Sequence, residues 1–127
     1  MRSVTIKTAG LLFACALSAA PASAQSGTYQ VKQMTPEAAA KAVRAALDDC
    51  RKRGYQVAVA VVDRAGVAQA LMRDRFAGPH TVQTAINKGY TAVSFRTDTL
   101  EFAKLTQSGA ASSGVRSIAN VVAVGGG

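Results

Sequence analysis

Two short apolar runs held apart by four turn-forming residues constrain this chain most. Gln56 to Val62 is rich in alanine and valine, short for a helix and strongly β-branched, which predicts a strand buried on both faces. Asp63-Arg64-Ala65-Gly66 follows, with Asp at the first turn position and Gly at the last. Val67 to Arg73 then returns as a second strand, so the segment predicts an antiparallel hairpin. Asp74 to Gly78 reads as an irregular loop.

Helices are predicted on both sides of the hairpin in sequence. Thr35-Pro36 starts the first, because a threonine side chain can accept a bond from a first-turn amide and proline suits the first helical position. Ala39, Val43, Ala46, Leu47 and Cys50 form its apolar stripe. Arg51, Lys52 and Arg53 compensate its negative end, and Gly54 stops it. A second helix begins at Pro79 or His80, with Val82, Ala85, Ile86, Gly89 and Val93 on one face. Thr97 is expected to cap a third, running to about Leu105. Gln107 to Gly114 reads as a loop, and Arg116 to Val124 is apolar enough for one more strand. The fold class is α+β.

The N-terminus carries the three zones of an export signal. Arg2 and Lys7 give a positive start, Ala9 to Ala20 an apolar run, and Ala22-Ser23-Ala24 a small-residue cleavage site. Residues 1–24 are therefore expected to be removed, 25–34 to form a flexible polar arm, and 35–127 to form the domain. The apolar run falls short of the ~20 residues needed to span a bilayer, so no stable membrane insertion is expected after cleavage. Acylation at Cys15 is disfavoured by Phe13 two positions before it. The destination is periplasmic or extracellular. Cys15 leaves with the signal, so Cys50 has no intramolecular partner and reads as a small apolar residue.

Losing Arg2 and Lys7 lowers the formal charge from +8 to +6. The arginines are dispersed, with Arg51-Lys52-Arg53 as the single run, which argues against nucleic-acid binding and for anionic small molecules. His80 is the only histidine in the chain. It is the one imidazole available to ligate iron or move a proton near neutral pH, or it is simply a surface histidine at a helix start. A zinc triad has no second histidine to use, no G-x-S-x-G nucleophile motif is present, and none of the acidic residues forms a close pair embedded in apolar sequence.

Val59-Ala60-Val61-Val62-Asp63-Arg64-Ala65-Gly66, Arg73-Asp74, Ala77-Gly78-Pro79-His80-Thr81 and Lys88-Gly89-Tyr90-Thr91-Ala92, in that order and spacing, resemble the haem-degrading-domain family over Thr35 to Gly127. That family includes proteins encoded with glycolate oxidase subunits and extracellular haem-binding regulators. The resemblance implies a central antiparallel sheet flanked by helices in a profilin-like sandwich, and homo-oligomers. Two departures stand out: glycine at Gly89 where members usually have alanine, and the absence after Gly125-Gly126-Gly127 of the family's last strands and helix, which would leave sheet edges exposed.

The resemblance further implies a haem or related tetrapyrrole partner outside the inner membrane. His80 is then the expected metal ligand, with Arg73, Thr81, Lys88 and Tyr90 as further binding residues. Phe76, Tyr90 and Phe95 could line a slot for the ring, and Arg73, Arg75 and Lys88 could meet its propionates. Competing expectations are a haem-degrading or small-molecule enzyme using His80 and Lys88, and an assembly module without ligand.

Overall fold

The computed structural model describes residues 27–127, so the expected signal segment and its cleavage site lie outside the described residues. Residues 27–34 are exposed without regular structure, and Val31–Gly127 form one compact unit. Within that unit the order is α1 (Pro36–Lys52), β1 (Ala58–Val62), β2 (Ala68–Arg73), α2 (His80–Phe95), α3 (Thr99–Leu105) and a 3₁₀ turn at Ser113–Ser117.

α1 starts and stops as its residues dictate. Thr35 Oγ1 accepts from the Ala38 amide at 3.3 Å, and Gly54 leaves the helix at φ +82°, a left-handed conformation that favours glycine. Ala39, Val43 and Leu47, four residues apart, are its buried positions. Ala46 and Cys50, predicted in the same stripe, are exposed and half-buried instead.

β1 and β2 pair antiparallel with Ala58 opposite Arg73 and Ala60 opposite Leu71. The register slips by one between Val61/Ala70 and Val62/Ala68, leaving Gln69 as the bulged residue. Asp63 organises the turn: its Oδ1 accepts the amides of Ala65 and Val67 at 2.8 and 2.9 Å. Gly66 sits there at φ +79°. β1 is not buried on both faces as expected, since all five of its residues are half-buried. Among the described residues the sheet has two strands, and none pairs with the far edge of β1.

α1 and α2 both pack on the hairpin yet scarcely touch each other, which places them over opposite faces of the sheet. Val62 turns toward α2, where Gly89 admits it: a Cβ on Gly89 would stand 2.9 Å from both Val62 methyls. α2 ends at Arg96, in the left-handed region at φ 54°. Thr97 donates its amide back to Ala92, so it belongs to the end of α2. The cap of α3 is therefore Asp98, whose Oδ1 accepts the Glu101 amide at 2.9 Å, and not Thr97. Phe102 of α3 packs on Phe95 with ring centroids 4.6 Å apart.

The expected strand over Arg116–Val124 does not form. The 3₁₀ turn takes its first residues, and Asn120 reverses the backbone at φ 67°. The segment is docked by two buried threonines. Thr91 Oγ1 accepts the Val122 amide at 2.9 Å, and Thr99 Oγ1 accepts that of Gly127 at 2.9 Å while the Thr99 amide returns to the Gly127 oxygen at 3.0 Å.

Candidate functional site

The open edge of β1 forms the floor of a cleft of about 480 Å³, within the ~300–1,000 Å³ of small-molecule sites. α1 contributes Ala46 and Cys50 to one wall. α2 contributes His80, Thr81, Thr84, Ala85 and Lys88 to the other, and Gly126-Gly127 closes one end. The eight residues from His80 to Lys88 advance the helix by a little over two turns, so both side chains come round to the same side.

His80 opens α2 and is exposed at the cleft. Its ring lies over Gly78, where an added Cβ would stand 2.6 Å from Cε1 and 2.9 Å from Nδ1, so the missing side chain at position 78 is what seats the imidazole. Neither ring nitrogen has a hydrogen-bond partner among the described residues. Thr81 Oγ1 donates to the Gly78 carbonyl at 2.6 Å, and Thr84 Oγ1 to that of His80 at 2.9 Å, fixing the first turn.

Lys88 is half-buried, and no carboxylate lies within ion-pairing distance of its ammonium among the described residues. Burial holds its pKa below the ordinary lysine value. Its stem runs against Gly127 and its Nζ beside Gly126, where a Cβ would stand at 2.6 Å. The glycines are thus what leave the ammonium room.

Of the predicted binding residues, His80, Thr81 and Lys88 come together; Arg73 and Tyr90 do not join them. Arg73 Nη1 donates to the Ala77 carbonyl and ties down the loop before α2. Tyr90 lies two residues past Lys88, ~200° around the helix, and its ring packs on Gly66 in the hairpin turn. Phe95 belongs to a second hollow with Phe102, and Phe76 stands 79% exposed on its loop, so neither lines the cleft. Arg75 is likewise outside the lining, and its amide donates to Asp74. Sequence reasoning missed Cys50 as a wall residue, although its place in the α1 stripe already directed it to the sheet.

The loop that delivers His80 is stapled to α1. Asp74 is 1% exposed and accepts from Arg51 twice, Oδ2 from Nε at 2.7 Å and Oδ1 from Nη2 at 3.0 Å. The guanidinium holds the carboxyl below its usual range, and the carboxylate in turn raises the pKa of Arg51.

The profile of the family described as haem-degrading protein HbpS-like matches residues 34–127. A double mutant of Streptomyces reticuli HbpS is similar at 38% identity and a TM-score of 0.69, over 84% of this chain and 72% of that one. Klebsiella pneumoniae ORFY is similar at 25% identity and a TM-score of 0.70, over 79% and 70%. A PduOC:heme complex is similar at 33% identity and a TM-score of 0.62, over 65% of this chain and 62% of that one. No curated protein sequence matches.

Proposed function

Since the chain belongs to the family of HbpS-like haem-degrading proteins, we propose that it binds haem in the cleft along β1, with His80 as iron ligand and Lys88 as the partner of a propionate. The observation that carries this is the meeting, on one wall of an apolar cleft, of the chain's sole imidazole and a part-buried ammonium, neither with a hydrogen-bond or ion-pair partner among the described residues. Those features suit haem, which His80 and Lys88 would hold and which would supply an iron centre on an apolar ring ending in two carboxylates. Ala58, Ala60 and Ala85 keep the floor and wall apolar and small. Thr81 fixes the turn from which the imidazole projects. A similar solved structure, that of PduOC, is a heme complex.

The test is an absorbance titration with haemin of the chain from Gln25 to Gly127, beside His80→Ala. A saturable Soret shift that weakens by at least about tenfold in the variant is the expected result. Binding unaffected by the substitution would remove His80 from the ligand role. No saturable binding by a folded sample would overturn haem binding, and loss of the haem spectrum in a reducing medium would assign turnover in addition.

The same reading places the protein outside the cytoplasm, supported by the charged start, the apolar run and Ala22-Ser23-Ala24. Intact mass of the protein recovered from the periplasm or medium should correspond to a chain beginning at Gln25. An uncleaved mass in the cytoplasm would refute export.

A further inference from the structure

We infer that the end of the sheet opposite the hairpin turn docks on an anionic lipid bilayer, with Phe76 and Tyr55 entering the headgroup layer and Lys52, Arg53, Arg73 and Arg75 meeting its phosphates. Asp74 and Ala77 are both buried, and the Ala77 amide donates to the Asp74 carbonyl at 3.2 Å. A tight turn anchored at its first and last residues pushes the two between them outward. Those two are Arg75 and Phe76, and the phenyl ring stands 79% exposed. The turn itself does not call for an aromatic, since turns select glycine, proline, asparagine, aspartate and serine.

The tip is held from three sides. Arg51 of α1 grips the Asp74 carboxylate, Arg73 donates to the Ala77 carbonyl, and the Asp74 amide donates to the Val57 carbonyl at 2.9 Å. That last bond sets the entry to β1 beside the exit from β2. Tyr55, two residues before Val57, therefore comes to the same end of the molecule as Phe76, two residues after Asp74. Tyr55 is 62% exposed, and its amide is fixed at the close of α1, where it donates to the Cys50 carbonyl at 2.9 Å. Aromatic rings presented on backbone already fixed lose little freedom on binding.

Charge selects the occupant. Arg51-Lys52-Arg53 and Arg73-Asp74-Arg75 bring five cations to this end against the carboxylates of Asp48, Asp49 and Asp74, a surplus of two. Among the described residues Lys52 and Arg75 have no ion-pair partner. Arg53 meets Asp49 at 2.9 Å in full view of solvent, where such a pair is weak. A single exposed apolar side chain is ordinary. Two aromatics among arginines and lysine are the composition that seats on an anionic bilayer, rings at headgroup level and each nearby cation adding to the attraction. The contact is peripheral, uses no spanning segment, and does not rest on haem binding.

The chain contains no tryptophan, so Phe76→Trp puts a single indole at the turn tip. The chain from Gln25 to Gly127, without haemin, is mixed with vesicles of phosphatidylcholine containing phosphatidylglycerol. Co-sedimentation and a blue shift of the indole emission are expected. Both should be absent with phosphatidylcholine alone and should weaken as salt rises from about 0.1 M to about 1 M. Lys52→Glu with Arg75→Glu should lower vesicle affinity by at least about tenfold, and Phe76→Ser by at least about threefold. Arg64→Glu makes the same kind of charge change at the hairpin turn, beyond a screening length from this end, and should leave affinity within about twofold. All these positions are exposed, so the variants keep the fold. No binding to anionic vesicles, equal binding to neutral ones, or an equal loss from Arg64→Glu would overturn the proposal. So would co-sedimentation without a blue shift, or binding of an acidic polypeptide with vesicles refused.

Discussion

Replacing Phe102 by alanine is expected to cost the domain about 3–5 kcal/mol. Phe102 is 3% exposed and lies against Phe95 at a 42° tilt, so truncation removes both the transfer of a large ring from water and an aromatic contact. The surroundings cannot collapse easily, because the next turn is pinned: the Thr106 hydroxyl donates to the Phe102 carbonyl at 2.7 Å, and Arg116 donates to that hydroxyl at 3.0 Å. Small domains have only about 5–15 kcal/mol in total, so urea unfolding should show a midpoint shifted far down at constant slope. Leu105→Ala, on the same helix but 58% exposed, should stay within about 0.5 kcal/mol of the parent. A Phe102→Ala loss below about 1 kcal/mol would mean that α3 is not part of the cooperative core. Because Thr99 of α3 holds Gly127, and Gly127 helps close the cleft, loosening α3 should also weaken haemin binding.

The second large effect is an acid one. Arg51 depresses the Asp74 pKa in the folded state, so the pair contributes stability fully above the unfolded carboxyl value near ~3.9 and loses it as pH falls through the lower folded value. Thermal unfolding followed from pH 6 downward should show a steep fall in Tm in that range. Asp74→Asn should start lower at pH 6 and descend less steeply, the two curves converging at the acid end. Arg51 is 39% exposed, so salt should reduce but not remove the difference. Parallel curves would show that Asp74 does not couple protonation to folding. Since Asp74 sits in the loop that leads to His80, haemin affinity should decline over the same window.

The hairpin and α1 were legible because local chemistry settles them: Asp63 bonds its own turn, and Thr35 and Gly54 bracket the helix whatever surrounds it. α2 was legible from its start, and the same-side placement of His80 and Lys88 followed from helical spacing. Family membership confirmed the α+β fold that the ordered motifs implied. What escaped depended on partners distant in sequence. The strand expected at Arg116–Val124 had the right composition, but its Val122 amide goes to Thr91, about thirty residues earlier, the Gly127 amide beyond it goes to Thr99, and Asn120 turns the backbone aside. Thr97 and Asp98 are both good caps by type. Only the left-handed exit of α2 at Arg96, which draws the Thr97 amide back to Ala92, decides between them. Arg73 and Tyr90 lie close in sequence to cleft residues but point elsewhere, one bound to a carbonyl in its own loop and the other seated on a glycine.

The hairpin's pairing is local throughout, reaching no further than Ala58 to Arg73. Such a unit closes in about 1–10 μs, long before helices on either side of it in sequence can settle over its faces. For that interval two bare, apolar strand edges face any neighbouring chain in the same state, which is the usual beginning of aggregation. The sequence brackets the strands with charge at both ends, Asp63-Arg64 at the turn and Arg73-Asp74-Arg75 at the opening. These residues stand where gatekeepers stand, and changes that neutralise them are expected to lower the yield of soluble protein even where the finished fold tolerates them.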